Sequence, residues 1–400
     1  MPPRHNALVV YCGVLYALSA FSIDIMLPAL SAITDSLNTK DTLTKMTVTV
    51  YLLAFGCGQM IFGPLSDRWG RRPALIAGLG IYLAGGLLSG VADSISVLLG
   101  GRFLQGLGGA VGHVIGRALL RDLYSGRTLA RQMAMAMGVF AIGPLIAPLL
   151  GWALATAIGW RAVFIGMSGF GGTLLLIAVV ALPETIKVRN PQACHWSHML
   201  ALTRRFWHCR QSRFFLLLGG WVSISMQFFL ANSAQLYAVH FGVTGLLFAL
   251  FFASQGIGIA LGQTVNRILI GKIGIVNSAR TAAAVFSAAA ATVLLLAQME
   301  ALNAPLFAVL VFVFASGYLA VIANAAALAM DQHGDMAGFA SSLIGFVAMS
   351  VGAIGASVLT AWYDSGMTAW SAYMLAVCAS SLIALLAWRE QTDSVKTPRS

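Results

Sequence analysis

Runs of about 20 apolar residues alternate with short polar breaks along the whole 400-residue chain. That spacing suits helices crossing a hydrocarbon layer roughly 30 Å thick. Twelve spans are predicted, over 7–29, 46–65, 74–93, 97–118, 131–154, 161–182, 214–235, 244–266, 280–299, 304–328, 337–362 and 368–388. Lipid offers no partner to an open backbone, so the pattern predicts an all-α membrane protein. The roughly ten-residue alternation of a transmembrane barrel is missing. The first apolar run, from Ala7, has no small-residue cleavage site followed by a soluble domain, and reads as a retained helix.

The longest polar interruption, 183–213, falls between the sixth and seventh spans. It predicts a cytoplasmic linker joining an N-terminal six-helix bundle, 1–182, to a C-terminal one, 214–388, with a cytoplasmic tail over 389–400. A degenerate repeat supports the division. GPLSDRWGRR at 63–72 follows the second span, and GQTVNRILIGK at 262–272 ends the eighth, which is second in its own half. Internal repeats of this kind let transporters build a midplane site between two rocking bundles.

Composition strengthens the membrane reading. The chain is 59% hydrophobic and 9% charged, against roughly 25% charged in a soluble domain. A net charge of +11 invites a nucleic-acid reading, but its distribution removes that partner. With a cytoplasmic N-terminus, all but Lys40, Lys45, Arg102 and Arg161 of the 24 Lys and Arg fall on the cytoplasmic side or at cytoplasmic helix ends. This is the positive-inside asymmetry, and an even number of spans puts both termini in the cytoplasm. The five cysteines form no disulfide or metal pattern, and the Cys194, His195, His198, His208, Cys209 group is irregularly spaced in a basic loop. No metal and no cofactor are expected.

Three motifs carry candidate chemistry. GPLSDRWGRRP, Gly63 to Pro73, sets Asp67 among Arg68, Arg71 and Arg72, with Gly63 and Gly70 allowing close backbone approach. A short charged loop of this kind suits a latch broken and remade in a rocking cycle. It resembles the signature loop of the major facilitator superfamily, with Gly63, Asp67, Arg68, Gly70, Arg71 and Arg72 in the expected places. The resemblance implies that fold, twelve helices in two six-helix bundles, and a loop that locks the halves together. It further implies that Asp67 faces the start of the eleventh span, whose N-terminal dipole favours an anion, and that Asp122 pairs with the loop arginines.

GRFLQGLGGAVGH, Gly101 to His113, places Arg102, Gly106, Gly109 and His113 on one helical face. A guanidinium within a span needs a partner or a wet cavity. The run Arg102 to Ala110 resembles a second motif of the superfamily, whose arginine is associated with proton coupling. For His113, helix packing and a place in the cavity stand as equal alternatives. In GVFAIGPLIAPLLGW, Pro144 and Pro148 each free a carbonyl four residues back, which predicts a kinked helix. Gly138, Gly143, Pro144, Pro148 and Gly151 resemble the motif that marks drug–proton antiporters, with its final glycine pair displaced to Gly151-Trp152. The resemblance implies export over uptake.

Asp24, in AFSIDIMLPAL, is the one acid among the 13 that lies inside a predicted span and clear of its ends. A charge at the centre of a membrane helix costs about 2.5–3.5 kcal/mol on insertion scales. Asp24 and Arg102 each fall about five residues from the outer end of their spans, so both are expected roughly 7–8 Å below the outer surface, around one cavity. Burial favours the neutral acid and a nearby guanidinium the carboxylate, which together would poise the group for proton exchange. A static ion pair is the alternative. Pro28 lacks an N–H, so it also leaves the Asp24 carbonyl without its helical partner.

IDIMLP in the first span, with GRALLRDLY after the fourth, resembles the Bcr/CflA branch of bicyclomycin- and chloramphenicol-type exporters, most strongly over 15–185. The expected substrate surface is aromatic and Met-rich: Tyr16, Phe21, Tyr51, Phe55, Trp221, Met226, Gln227, Phe229, Phe248 and Phe252. Flexible and broad apolar side chains suit a permissive pocket, although such residues also face lipid or pack. The expected function is proton-coupled multidrug efflux of small, largely apolar compounds across the bacterial inner membrane. The chain would act as a monomer, with the proton gradient as its energy source. A dedicated exporter of a metabolite or siderophore is the alternative, and Arg102 and His113 would suit an anionic one. Uptake, a membrane sensor or an enzyme fits less well, since no loop holds a soluble domain and no nucleophile–His–acid set appears.

Overall fold

A computed structural model describes residues 3–140, 142–186, 188–362 and 366–389. Beyond Arg389, the expected tail lies outside the described residues. The first crossing consists of α1 (Pro3–Asp24), a 3-10 turn (Leu27–Ala29) and α2 (Leu30–Ser36). It is followed by α3 (Asp41–Trp69), α4 (Arg71–Gly90), α5 (Ile95–Leu123), α6 (Gly126–Phe140), α7 (Ile142–Ala157) and α8 (Trp160–Ala181). After α9 (Trp196–His208) come α10 (Arg210–Phe241), α11 (Gly245–Ile273), α12 (Ile275–Gln298), α13 (Ala304–Met330), α14 (Ala337–Trp362) and α15 (Met367–Ala387). No strand occurs among the described residues.

This is an all-helical membrane protein with twelve crossings. Eleven are long and apolar enough to span by composition alone. The twelfth is α5, 29 residues long, whose Arg102, Gln105, His113 and Arg117 interrupt its apolar sequence. Glycines let this polar helix sit at the centre of its half. A Cβ on Gly106 would stand 2.2 Å from the Tyr51 carbonyl oxygen of α3, and one on Gly112 2.4 Å from that of Leu15 on α1. Only hydrogen fits at either place.

The first crossing differs from expectation. Its helix stops at Asp24, turns through Ile25 and Met26, and resumes after Pro28, continuing to Ser36 rather than ending at 29. The missing proline N–H accounts for the break, and the buried Met26, Leu27 and Ala29 account for its staying inside the bundle. The linker also differs from a simple polar loop. Within it α9 is amphipathic, and its fully buried Phe206 stacks on His333 at 4.7 Å.

α3 lies against α14 along its length. Gly63 adjoins Ser342 near the end that carries the linker, which we call the linker face. At the other end, the opposite face, Ser357 donates to Thr49 Oγ1 at 3.0 Å. α7 packs on α11, with Pro144 near Gly256, and Gly151 sits against the Ile25 carbonyl just beyond Asp24.

Candidate functional site

The break after Asp24 places a carboxyl within the bundle. Asp24 is 5% exposed, and its carboxylate has neither an ion pair nor a hydrogen bond among the described residues. With the crossing extended to Ser36, it lies twelve residues from the far end, roughly 18 Å along a helical path and not 7–8 Å. Arg102 is likewise deeper, seven residues into α5. Their common level survives for a different reason. α1 and α5 run antiparallel, with the Leu15 carbonyl against Gly112 and the Cys12 carbonyl against Gly116, and the same register carries Asp24 to the level of Arg102.

The two are not paired. Arg102 is fully buried, and its Nη1 donates to Gln105 Oε1 at 2.6 Å. Its Nε donates to the Thr47 carbonyl at 3.4 Å, and its guanidinium lies 4.2 Å over the Tyr51 ring. Nη2 and the Tyr51 hydroxyl have no hydrogen-bond partner among the described residues. On α1, Ser22 hydrogen-bonds the Tyr82 hydroxyl at 2.6 Å. A static Asp24–Arg102 ion pair is therefore absent from this arrangement. A cation–π contact and an amide partner hold Arg102 instead. Gln105 and Tyr82 were missed in the sequence. Gln105 had a signal, as a polar residue three positions from Arg102 on the same helix.

An aromatic enclosure forms around His113. Tyr16 and Phe55 each lie 5.5 Å from its ring and Phe140 6.1 Å. Tyr51 stacks on Phe55 at 6.2 Å, and His113 Nδ1 meets Ser19 Oγ at 3.3 Å. Tyr16, Tyr51, Phe55 and His113 thus come together in the first half. The other aromatic candidates do not join them. Phe21 pairs with Phe170 of α8 at 4.9 Å. Trp221 is 45% exposed on the bundle's exterior, its Nε1 donating to Ser380 Oγ of α15 at 2.8 Å. Phe229, Phe248 and Phe252 pack among themselves and with Trp370 and Tyr237 inside the second half. Aromatic residues repeat at helical spacing in both settings, so sequence could not separate them. Met226 is buried, and Gln227 contacts Met349 Sδ of α14 at 3.8 Å.

At the linker face, Arg71 joins two acids. Its Nη1 meets Asp67 Oδ1 at 2.6 Å and its Nε meets Asp122 Oδ2 at 3.1 Å. Asp67 shares a cavity with Ser341 and Ser342 of α14 rather than bonding that helix. Gly70 takes φ +116°, so the chain can turn directly from α3 into α4. Glu184, unread in the sequence, accepts from the backbone N–H of Arg71 at 2.9 Å and of Arg72 at 3.3 Å, capping α4. Arg72 in turn donates to the Val179 carbonyl at 2.6 Å, near the end of α8. Arg68 makes none of these contacts. In the proline motif, Gly143 packs near Ala17, Gly151 near Ile25, and Pro148 lies inside α7, while no atom comes within 4 Å of a Cβ on Gly138.

At the opposite face, Lys45 is buried between the halves. Its Nζ meets Asp41 at 3.0 Å and donates to Asn232 Oδ1 of α10 at 3.1 Å and to Gln235 Oε1. Asn232 donates on to Thr360 Oγ1 of α14 at 3.0 Å. The sequence had suggested only an external lysine.

Comparison with known proteins agrees with this architecture. The bicyclomycin resistance protein homolog of Haemophilus influenzae is 26% identical over 351 residues, 88% of each chain. The chloramphenicol resistance protein of Pseudomonas aeruginosa is 34% identical over 197 residues, 48% of this chain and 46% of that protein. Among solved structures, the partially occluded, inward-open xylose transporter of E. coli superposes with a TM-score of 0.75 at 12% identity, covering 97% of this chain and 98% of the other. With residues 12–356 matching the family description, this chain belongs to the Major Facilitator Superfamily and is a transporter, not an enzyme.

Proposed function

We propose that the chain exports small, largely apolar compounds from the cytoplasm, driven by proton entry. The membrane is the bacterial inner membrane, and the linker face with both termini is cytoplasmic. The bundles 1–182 and 214–388 rock about the 183–213 linker, the 389–400 tail lies in the cytoplasm, and the chain works as a monomer without a cofactor.

The observation that carries this reading is the Asp24 carboxyl, buried at a helix break, unpartnered, and level with Arg102. A carboxylate out of water with no cation against it is costly, and taking up a proton removes that cost. Asp24 accepts a proton when the site opens outward and loses it to the cytoplasm after the halves rock. Arg102 stays charged beside Tyr51 and sets the field in which that exchange occurs. Substrate lies over the aromatic surface of Tyr16, Tyr51 and Phe55. Asp67, Arg71 and Asp122 hold the cytoplasmic side shut while the outside is open. The resistance names of the relatives support drugs as the cargo.

Proteoliposomes with an imposed proton gradient test the coupling. Adding substrate should dissipate the gradient with the wild type, and Asp24→Asn should abolish that dissipation. Gradient-driven transport by Asp24→Asn at the wild-type rate would remove the acid from the mechanism. Inverted vesicles should accumulate substrate, whereas accumulation only in right-side-out vesicles would mean uptake.

A further inference from the structure

A cavity of about 60 Å³ opens between α3, α5 and α14 at the linker face. That is room for roughly four waters, or for one small charged group. Its α5 wall presents His113, Arg117 and Arg121, spaced one helical turn apart on one face. Both carboxylates in the lining, Asp67 and Asp122, are held by Arg71. Arg117 has no carboxylate partner among the described residues. It reaches across the halves, where Nη1 donates to Ser341 Oγ of α14 at 2.5 Å. A guanidinium carries five N–H donors, so this half-buried group keeps donors free for a further acceptor in the cavity.

Beyond Arg117 the lining changes character. One turn deeper stands His113, surrounded by Tyr16, Phe55 and Phe140. A cation and a packed aromatic cluster thus adjoin along α5, in the direction from the linker face towards the level of Arg102. Neutral apolar cargo would need only the aromatic part. A guanidinium bonded only to a hydroxyl, with no acid against it, is open to an anion, and its planar fork matches a carboxylate.

We propose that Arg117 is the anion-binding residue of an entry subsite, and that the preferred cargo is an amphipathic organic anion: an aromatic, apolar body bearing one carboxylate. The carboxylate bonds the Arg117 guanidinium in competition with Ser341, and the body lies over Tyr16 and Phe55. Occupancy then loosens the Arg117–Ser341 contact between the halves, so binding and opening of the cytoplasmic side are linked. This deepens the export reading and rests on it for the direction of movement, but the subsite itself is tested by binding.

The test uses purified full-length protein in detergent and an isosteric pair of probes, 2-naphthoate and 2-naphthamide. Wild type should bind the carboxylate about 10- to 100-fold more tightly than the amide, the range of a charge-assisted hydrogen bond. Arg117→Gln should lose that preference without weakening the amide, and Arg117→Lys should keep part of it. Equal wild-type affinities for the two probes would overturn the proposal, as would a preference that persists in Arg117→Gln. Should Arg117→Gln fail to fold, the wild-type ratio and Arg117→Lys still decide. Transport is read separately in inverted vesicles. Carboxylate preference without accumulation would leave the subsite standing and defeat export, while accumulation of the amide without any preference would do the reverse.

Discussion

Replacing Lys45 by Met should open the side of the protein opposite the linker. The residue is 8% exposed, and its ammonium bridges α3 to α10 through Asn232 and Gln235. Each hydrogen bond to a charged group contributes roughly 1.5–3 kcal/mol, and the half-exposed Asp41 adds less than about 1 kcal/mol. Met fills a similar volume and releases the cost of keeping an ammonium out of water, so the gain from the bridge is partly offset. A net loss of about 1–3 kcal/mol for the closed form remains, which raises the open population roughly 5- to 150-fold. Spin labels at Asp35→Cys and Thr244→Cys, both at exposed positions of that face, would report it. Double electron–electron resonance in nanodiscs should show a longer-distance component grow in Lys45→Met and stay small in the wild type. An unchanged distance distribution would refute the bridge as a conformational clasp. A fall in the longer component would mean that Lys45 instead stabilises the open form.

Three further outcomes follow from contacts described above. Asp122→Asn weakens the charge-assisted bond to Arg71, so a maleimide should label Ser342→Cys several-fold faster in a background without other cysteines; an unchanged rate would detach Asp122 from the latch. Gly112→Val forces a side chain against the Leu15 carbonyl and should cost roughly 1–3 kcal/mol or more, seen as a lower apparent Tm than Gly169→Val, where nothing stands within 4 Å of the added carbon; equal melting would contradict the close α1–α5 approach. Trp221→Ala should leave substrate KM within about twofold of wild type, whereas Tyr16→Ala should raise it, and the reverse order would restore Trp221 to the substrate surface.

The fold was legible because lipid enforces it. Long apolar runs have few alternatives to helices, and even α5, too polar to qualify by composition, was read as the span 97–118 from the same pattern of apolar runs. The freed Asp24 carbonyl at Pro28 was legible too, since a missing N–H acts locally. Its consequence was not. Whether the chain ends its crossing there or resumes it depends on what surrounds Met26 and Leu27, and those contacts come from distant segments. The same limit applies to Lys45, whose partners Asn232 and Gln235 lie nearly 190 positions away. The alternative of a static Asp24–Arg102 ion pair was not settled by the sequence for a related reason. Helix register fixes a common level, but the direction of each side chain is set by neighbours such as Gln105 and Tyr51.

The two halves repeat one plan with different chemistry. In the first, Arg72 of α4 donates to the end of α8; in the second, Arg280 of α12 donates to the Leu385 and Trp388 carbonyls at the end of α15. Where Asp67 stands in the first repeat, Asn266 stands in the second. Asn266 is 5% exposed and exchanges hydrogen bonds with Asn324 of α13 at 3.0 and 2.9 Å, with Ser278 donating to it at 2.7 Å. The ionic cluster of the first half is partly wet, with Asp67 41% exposed at its side chain, so water can replace each bond as it breaks. The amide cluster is dry, and opening it would leave buried polar groups unpaired at about 1–3 kcal/mol each. A latch that must break in every cycle needs the first kind of contact, and a fixed hinge plate needs the second. On the proposed latch role, the repeated plan places the moving contact of the linker face at the α3–α4 loop and a static contact at its counterpart between α11 and α12.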